Sequence, residues 1–158
     1  MPIYMYYNNI KGDVTAAGHE GWIELNSCQW GVGRGLSSPT GASADRESSA
    51  PSVSEIVVTK DTDAASPKLL NEAYQGEGQK VQIDFCKTDK GKLEVYLTLN
   101  LENCMISGFS MSSGSDRPTE SLSMNFTKIE FKNTGMGAAG DTGSPDSVTY
   151  DLATAKVV

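Results

Sequence analysis

The stretch Lys92 to Asn103, KLEVYLTLNLEN, constrains the fold more than any other part of the chain. Leu93, Val95, Leu97, Leu99 and Leu101 stand at alternate positions, with Glu94, Tyr96, Thr98, Asn100 and Glu102 between them. A pleated strand sends successive side chains to opposite faces, so this pattern makes one apolar face and one polar face. Just before it, KVQIDF alternates in the same way, with Val81, Ile83 and Phe85 set against Gln82 and Asp84. Asp89, Lys90 and Gly91 supply turn chemistry between the two runs, so residues 80 to 102 read as a long hairpin.

Other segments follow the same rule. GWIELNSCQWGV, SEIVVTK and SVTYDLA read as strands, and so does ESLSMNFTKIEFKN. In the last of these the apolar parity changes between Phe126 and Ile129, which predicts a bulge or bend. The spacing of turns predicts about seven to ten strands, hence a barrel or sandwich. The polar rows, Glu94 to Glu102 with Gln82 and Asp84, are read as an ordinary solvated face.

One segment has a helical period. Ser66 is placed to cap the first turn, with Pro67 at the first helical position. Leu69, Leu70, Ala73 and Tyr74 form an apolar stripe, and Gly76 is expected to close the helix in the left-handed conformation. A helix of roughly ten residues is not stable alone in water, so the stripe must dock on the strands. Lys60, Asp61 and Asp63 are read as the strand-to-helix corner, a scaffold feature rather than a chemical one.

The chain has 158 residues, which fits one domain with a sizeable core. Its formal net charge is -7, and no run of Lys or Arg offers a footprint for a phosphate backbone, so nucleic acid is excluded as a partner. No apolar stretch approaches the length needed to cross a bilayer. The opening MPIYMYYNNIKGD has neither the basic head nor the apolar core of a cleaved signal. Cys28, Cys86 and Cys104 are scattered and the single His19 adds no ligand cluster, so buried free thiols in a reducing compartment are expected, with no metal and no cofactor. His19 is read as a surface or edge residue, and Trp22 and Trp30 as core or interface aromatics.

Three tempting motifs fail on their context. GVGRGL lacks both the glycine spacing and the following helix of a dinucleotide loop. DTDAAS lacks the glycine and glutamate of a calcium loop. Asn125-Phe126-Thr127 is a glycosylation sequon only formally, since it sits mid-strand. No catalytic constellation is left. Two stretches have little to bury: residues 33–52, GRGLSSPTGASADRESSAPS, and residues 133–147, NTGMGAAGDTGSPDS. In the first, Arg46 and Glu47 among small residues suit docking on a protein surface.

Ordered blocks along nearly the whole chain carry a resemblance. They are IKGDVT, WIELNSCQWGVGRG, VTKDTDAASPKLLNEAYQGE, LENCMISGFSMSSGSDRPTESLSMNFTKIEF and VTYDLATAKV. Within them the strongest are Thr59, Lys60, Asp63, Ser66, Pro67, Leu69 and Ala73, then Asp116, Arg117, Thr119 and Glu120 leading to Asn125 and Phe126. In these blocks the chain resembles the haemolysin-coregulated protein (Hcp) family, the tube protein of the bacterial type VI secretion system.

That resemblance implies a mainly β, barrel-like protomer of two packed antiparallel sheets with one short flanking helix, a single domain over residues 1–158. It implies six protomers closing into a ring, and rings stacking into a tube that is fired by a contractile sheath with a spike at its tip. Small effector proteins are carried and stabilised in the channel. The expected partners are therefore other copies of the chain, sheath, spike and baseplate proteins, and effectors. The expected location is the bacterial cytoplasm before firing, then outside the cell or in a target cell, without a cleaved signal. The resemblance assigns Ser112, Ser113 and Ser115 to effector contact in the channel. It assigns Gly35 to Ser52, including Ser37, Ser38, Arg46 and Glu47, to contacts between subunits or stacked rings. Two readings compete with it: a monomeric β-sandwich binding module with an aromatic-lined ligand site, and an enzyme built around His19.

Overall fold

The computed structural model describes residues 1–36, 50–134 and 146–158. Among them are twelve strands and one helix. In chain order these are β1 (Ile3–Tyr7), β2 (Ile23–Leu25), β3 (Ser27–Gln29), β4 (Val32–Gly33), β5 (Ser52–Val53), β6 (Ile56–Asp61), α1 (Ser66–Gln75), β7 (Gln79–Asp89), β8 (Lys92–Ser112), β9 (Thr119–Asn125), β10 (Lys128–Asn133), β11 (Asp146–Asp151) and β12 (Lys156–Val157).

The hairpin predicted from the alternating leucines is the centre of the molecule. β7 and β8 pair antiparallel from Asp89↔Lys92 inward. Lys90 (φ 50°) and Gly91 (φ 76°) occupy the two-residue turn, whose consecutive left-handed positions match the twist of the strands it joins. β8 then continues well past the predicted hairpin. Near Asn103, which takes φ 51°, it leaves one sheet and enters another.

The first sheet, A, has the order β12–β11–β10–β8–β7–β1–β2, and the second, B, runs β3–β6–β9–β8. The expected change of parity after Phe126 has a specific cause. β9 belongs to sheet B and β10 to sheet A, so the chain turns a corner at Phe126 and Thr127. A matching corner lies at Asn26, between β2 and β3, where the Asn26 N–H donates to the Thr59 carbonyl. The result is two packed sheets sharing β8, barrel-like without continuous ladder closure. A short hairpin of β4 and β5 stands apart.

Between the sheets lies the core, with Met5, Tyr7, Ile23, Ile56, Val58, Ile83, Leu99, Leu101, Leu122 and Met124 among its members. Each such side chain contributes about 1.5–3 kcal/mol by leaving water. β1 was not anticipated as a strand. Its IYMYY run does not alternate because Tyr4 and Met5 are both buried, on opposite faces. Met5 enters the main core, whereas Tyr4 joins Val14 and Cys86 in a second small cluster where the segment between β1 and β2 folds over the outside of sheet A.

α1 corrects three expectations. Its N-cap is Ala65 rather than Ser66. The Ala65 N–H is met by Asp63 Oδ1 at 3.0 Å, while Ser66 Oγ accepts from the Asp63 N–H. Gly76 is extended (φ -70°, ψ 154°), not left-handed, and is required for another reason: a Cβ there would sit 2.5 Å from the Glu72 carbonyl. The docking face is also narrower than the stripe. Leu69 is fully buried and Ala73 half-buried, but Leu70 is only half-buried and Tyr74 is 80% exposed.

Candidate functional site

The two strongest blocks of sequence resemblance meet at one buried point. Lys60 ends the inward row of β6 with no exposed surface. Its ammonium donates to Asp63 Oδ1 at 2.9 Å, Glu120 Oε1 at 2.9 Å, Ser66 Oγ at 3.1 Å and the Asp61 carbonyl at 2.9 Å. Thr62 Oγ1 donates to the other Glu120 oxygen at 2.8 Å, and the Thr62 N–H reaches the Pro118 carbonyl. Burial pushes the Glu120 carboxyl up, but hydrogen bonds from Lys60, Ser66 and Thr62 and the Lys60 charge outweigh it and hold it below the ordinary carboxylate value. A buried charge is tolerated only when paired and hydrogen-bonded, as here. The corner therefore ties the start of α1 to the start of β9 and to the turn, residues 113–118, that precedes it.

That turn leads onto the outer face of sheet B, which is lined with hydroxyls. The ladder registers align Ser27, Thr59, Ser121 and Ser110 in one row across all four strands. Ser27 Oγ and Thr59 Oγ1 are 2.5 Å apart. The next row holds Asp61, Thr119 and Ser112. Ser112, exposed at the end of β8, thus belongs to this face, and exposed Ser113 and Ser115 lie just beyond it in the turn. No single strand announced the rows; they exist only once the register is known.

Both edges of sheet B are open. Among the described residues β3 pairs only with β6, and β8 from Met105 onward only with β9. Gly35 is exposed, and Ser52 pairs with Gly33 in the small hairpin. Ser37, Ser38, Arg46 and Glu47 lie outside the described residues.

The outer face of sheet A is different. Tyr6, Gln82, Asn100, Glu130 and Thr149 form a cross-strand row, with Asn100 Nδ2 donating to Glu130 Oε1 at 2.7 Å. They line an open groove of about 470 Å³ together with Lys80, Glu102 and Lys128. Tyr6 is its single aromatic, so the ligand site that a β-sandwich binding module calls for is not built here.

Beside the groove, two more residues of the expected solvated row, Asp84 and Thr98, are buried. So is His19, which the sequence placed at a surface or edge. Its Nε2 donates to Asp84 Oδ2 at 2.8 Å, and Asp84 Oδ1 accepts from Gln82 and Thr98, each at 3.0 Å. The imidazole packs edge-on against Trp22, ring centroids 4.6 Å apart, and against Tyr4 at 5.1 Å. The residues after β1 are thereby latched onto sheet A. No serine or cysteine is hydrogen-bonded to His19 among the described residues. Burial pushes the thiols of Cys28 and Cys86 up to about 11 and that of Cys104 to about 12, which makes them poor nucleophiles at neutral pH.

Two sheets sharing a strand, a capping helix on a buried ionic corner and an open-edged polar face define a β scaffold whose free edges can pair with further strands. The profile of the family described as type VI secretion system effector, Hcp, matches residues 4–132. The chain belongs to the Hcp family: it is a secreted, self-assembling tube protein of the type VI secretion system and not an enzyme.

Solved structures agree on the fold. A type six secretion system protein superposes with a TM-score of 0.90 at 23% identity, covering 99% of each chain. A type VI secretion system effector from Yersinia pestis gives 0.75 at 24% identity, over 94% of this chain and 98% of that one. Hcp1 from Salmonella typhimurium gives 0.76 at 19%, over 99% and 98%. No curated protein sequence matches the chain.

Proposed function

We propose that six copies of this chain close head to tail into a ring whose channel is lined by the outer face of sheet B. Rings stack into the tube that a contractile sheath expels behind a spike, from a baseplate in the bacterial cytoplasm, and small effector proteins travel in the channel. The observation that carries this reading is the pair of open edges on sheet B. An exposed edge is a template for pairing, and β3 of one copy beside the last part of β8 of the next leaves neither edge of sheet B free. Contacts of this heterologous kind close into a ring when the rotation allows it.

The hydroxyl rows suit a transport wall. Ser27, Thr59, Ser121, Ser110 and Ser112 offer short donors and acceptors without a large apolar patch or a strong charge field. Ser113 and Ser115 extend that contact at the channel mouth, and the segment from Gly35 to Ser52 is assigned to contacts between subunits or rings. Export by this route needs no cleaved signal.

Negative-stain images of purified protein are expected to show six-fold rings; particles that remain monomeric at high concentration overturn the reading. Ser121→Trp, which places a bulky ring in the middle of the hydroxyl wall, is expected to preserve rings but abolish co-purification of small effectors. Unchanged effector capture would remove sheet B from the channel.

A further inference from the structure

The inner face of sheet A outruns the sheet that covers it. One register row runs Tyr7, Val81, Leu101, Ile129, Tyr150, Val157 across six strands, all on the core side. Burial is complete or nearly so from Tyr7 to Ile129, then falls to half at Tyr150, and Val157 is 69% exposed. The neighbouring row behaves alike. Met5, Ile83 and Leu99 are fully buried, Phe131 is half-buried, and Val148 is 52% exposed. The opposite face of this β10–β12 wing carries Lys128, Glu130 and Lys132, so its apolar side is a continuation of the core that the described residues leave without a full cover.

A second, incompletely covered apolar pair lies on α1, half-buried Leu70 and exposed Tyr74. Leu70 and Tyr74 are one helical turn apart and therefore adjacent on its surface, turned away from the face that Leu69 buries. The wing continues sheet A from β10, the neighbour of β8, while α1 packs on β8 itself. Each also accompanies one open edge of sheet B. Trp30, just after β3, packs on Phe131 of the wing with ring centroids 6.3 Å apart, and α1 packs against β8.

We infer that these patches meet between copies: Leu70 and Tyr74 of one chain cover the wing face at Val148 and Val157 of the next. This rests on the ring reading and adds a second layer to its seam. Edge pairing of β3 with β8 forms the inner layer, and the apolar contact between α1 and the wing forms the outer one. A head-to-tail contact requires two different, complementary patches on every copy. The occupant of the wing is thus a second copy of this chain.

Tyr74→Asp and Val148→Asp test it, both at exposed positions where folding is spared. Each variant alone is expected to keep the wild-type circular dichroism and melting curve. In analytical ultracentrifugation each should need a concentration higher by about 30-fold or more to assemble, the loss expected for a central anchor. A mixture of the two retains one intact seam, Tyr74 of the Val148→Asp chain against Val148 of the Tyr74→Asp chain. It is expected to give dimers and nothing larger. If both variants form rings like the wild type, the inference is wrong and the ring reading stands. If wild-type chains form no rings, the ring reading itself fails. Mixed variants that stay monomeric exclude the pairing of these two patches.

Discussion

Lys60 and His19 are both buried beside a carboxylate, yet their surroundings differ in completeness. Lys60 shares its three protons among four oxygens drawn from the end of β6, the corner before α1, the start of α1 and the distant start of β9. The His19 imidazole makes one hydrogen bond, to Asp84, and among the described residues its Nδ1 has no partner. The first is a saturated network whose members hold one another. The second is a single latch that fastens one connecting segment to a sheet already stabilised by its own core. Removing a part from the first leaves a buried charge stranded; removing the second leaves Asp84 with its two remaining donors.

That contrast is broken or sharpened by five substitutions. Lys60→Met should have the largest effect, about 3–5 kcal/mol in denaturant unfolding, because Glu120 is then buried without its counter-charge. Combining it with Glu120→Leu should recover part of the loss, since an apolar pair needs no compensation; a fully additive double variant would disprove the coupling.

Glu120→Gln comes next and carries a pH signature. The folded carboxyl titrates below its ordinary 4.5, so the network's contribution is complete above that pH and is lost as pH falls through the lower folded-state value. Wild-type melting temperature should therefore drop more steeply on acidification than that of Glu120→Gln.

His19→Ala should cost about 1–2 kcal/mol, with faster hydrogen exchange confined to residues 11–22 and their contacts on β1 and β7. A loss as large as that of Lys60→Met would make the latch part of the core. Arg117→Ala should be smallest, within about 0.5 kcal/mol by the same unfolding assay. Its contact with Asp13 is 3.6 Å long and both side chains are more than half exposed.

The same contrast explains what could be read from the sequence. Alternation in β7 and β8, the parity change at Phe126 and the scaffold role of Lys60 and Asp63 are local patterns, and each is visible in a few consecutive residues. The burial of His19, Asp84 and Thr98 depends on a segment folding over the sheet from outside, which no periodicity records. Ser27, Thr59, Ser121 and Ser110 look like ordinary outward positions strand by strand; only ladder register joins them. Tyr74 fitted the apolar stripe of α1 and lies outside its dock because helical spacing reports a face, not how far the neighbouring strands reach. IYMYY hid β1 because a strand covered on both sides loses the alternation that would reveal it.

One consequence follows from β8 serving both sheets. A strand of 21 residues spans roughly 70 Å of backbone along its bent path. Peptide bonds, rather than side-chain contacts alone, therefore connect the two layers of the wall. A shear between the layers loads that covalent tie before it can separate the sheets, so the protomer resists delamination along its own backbone.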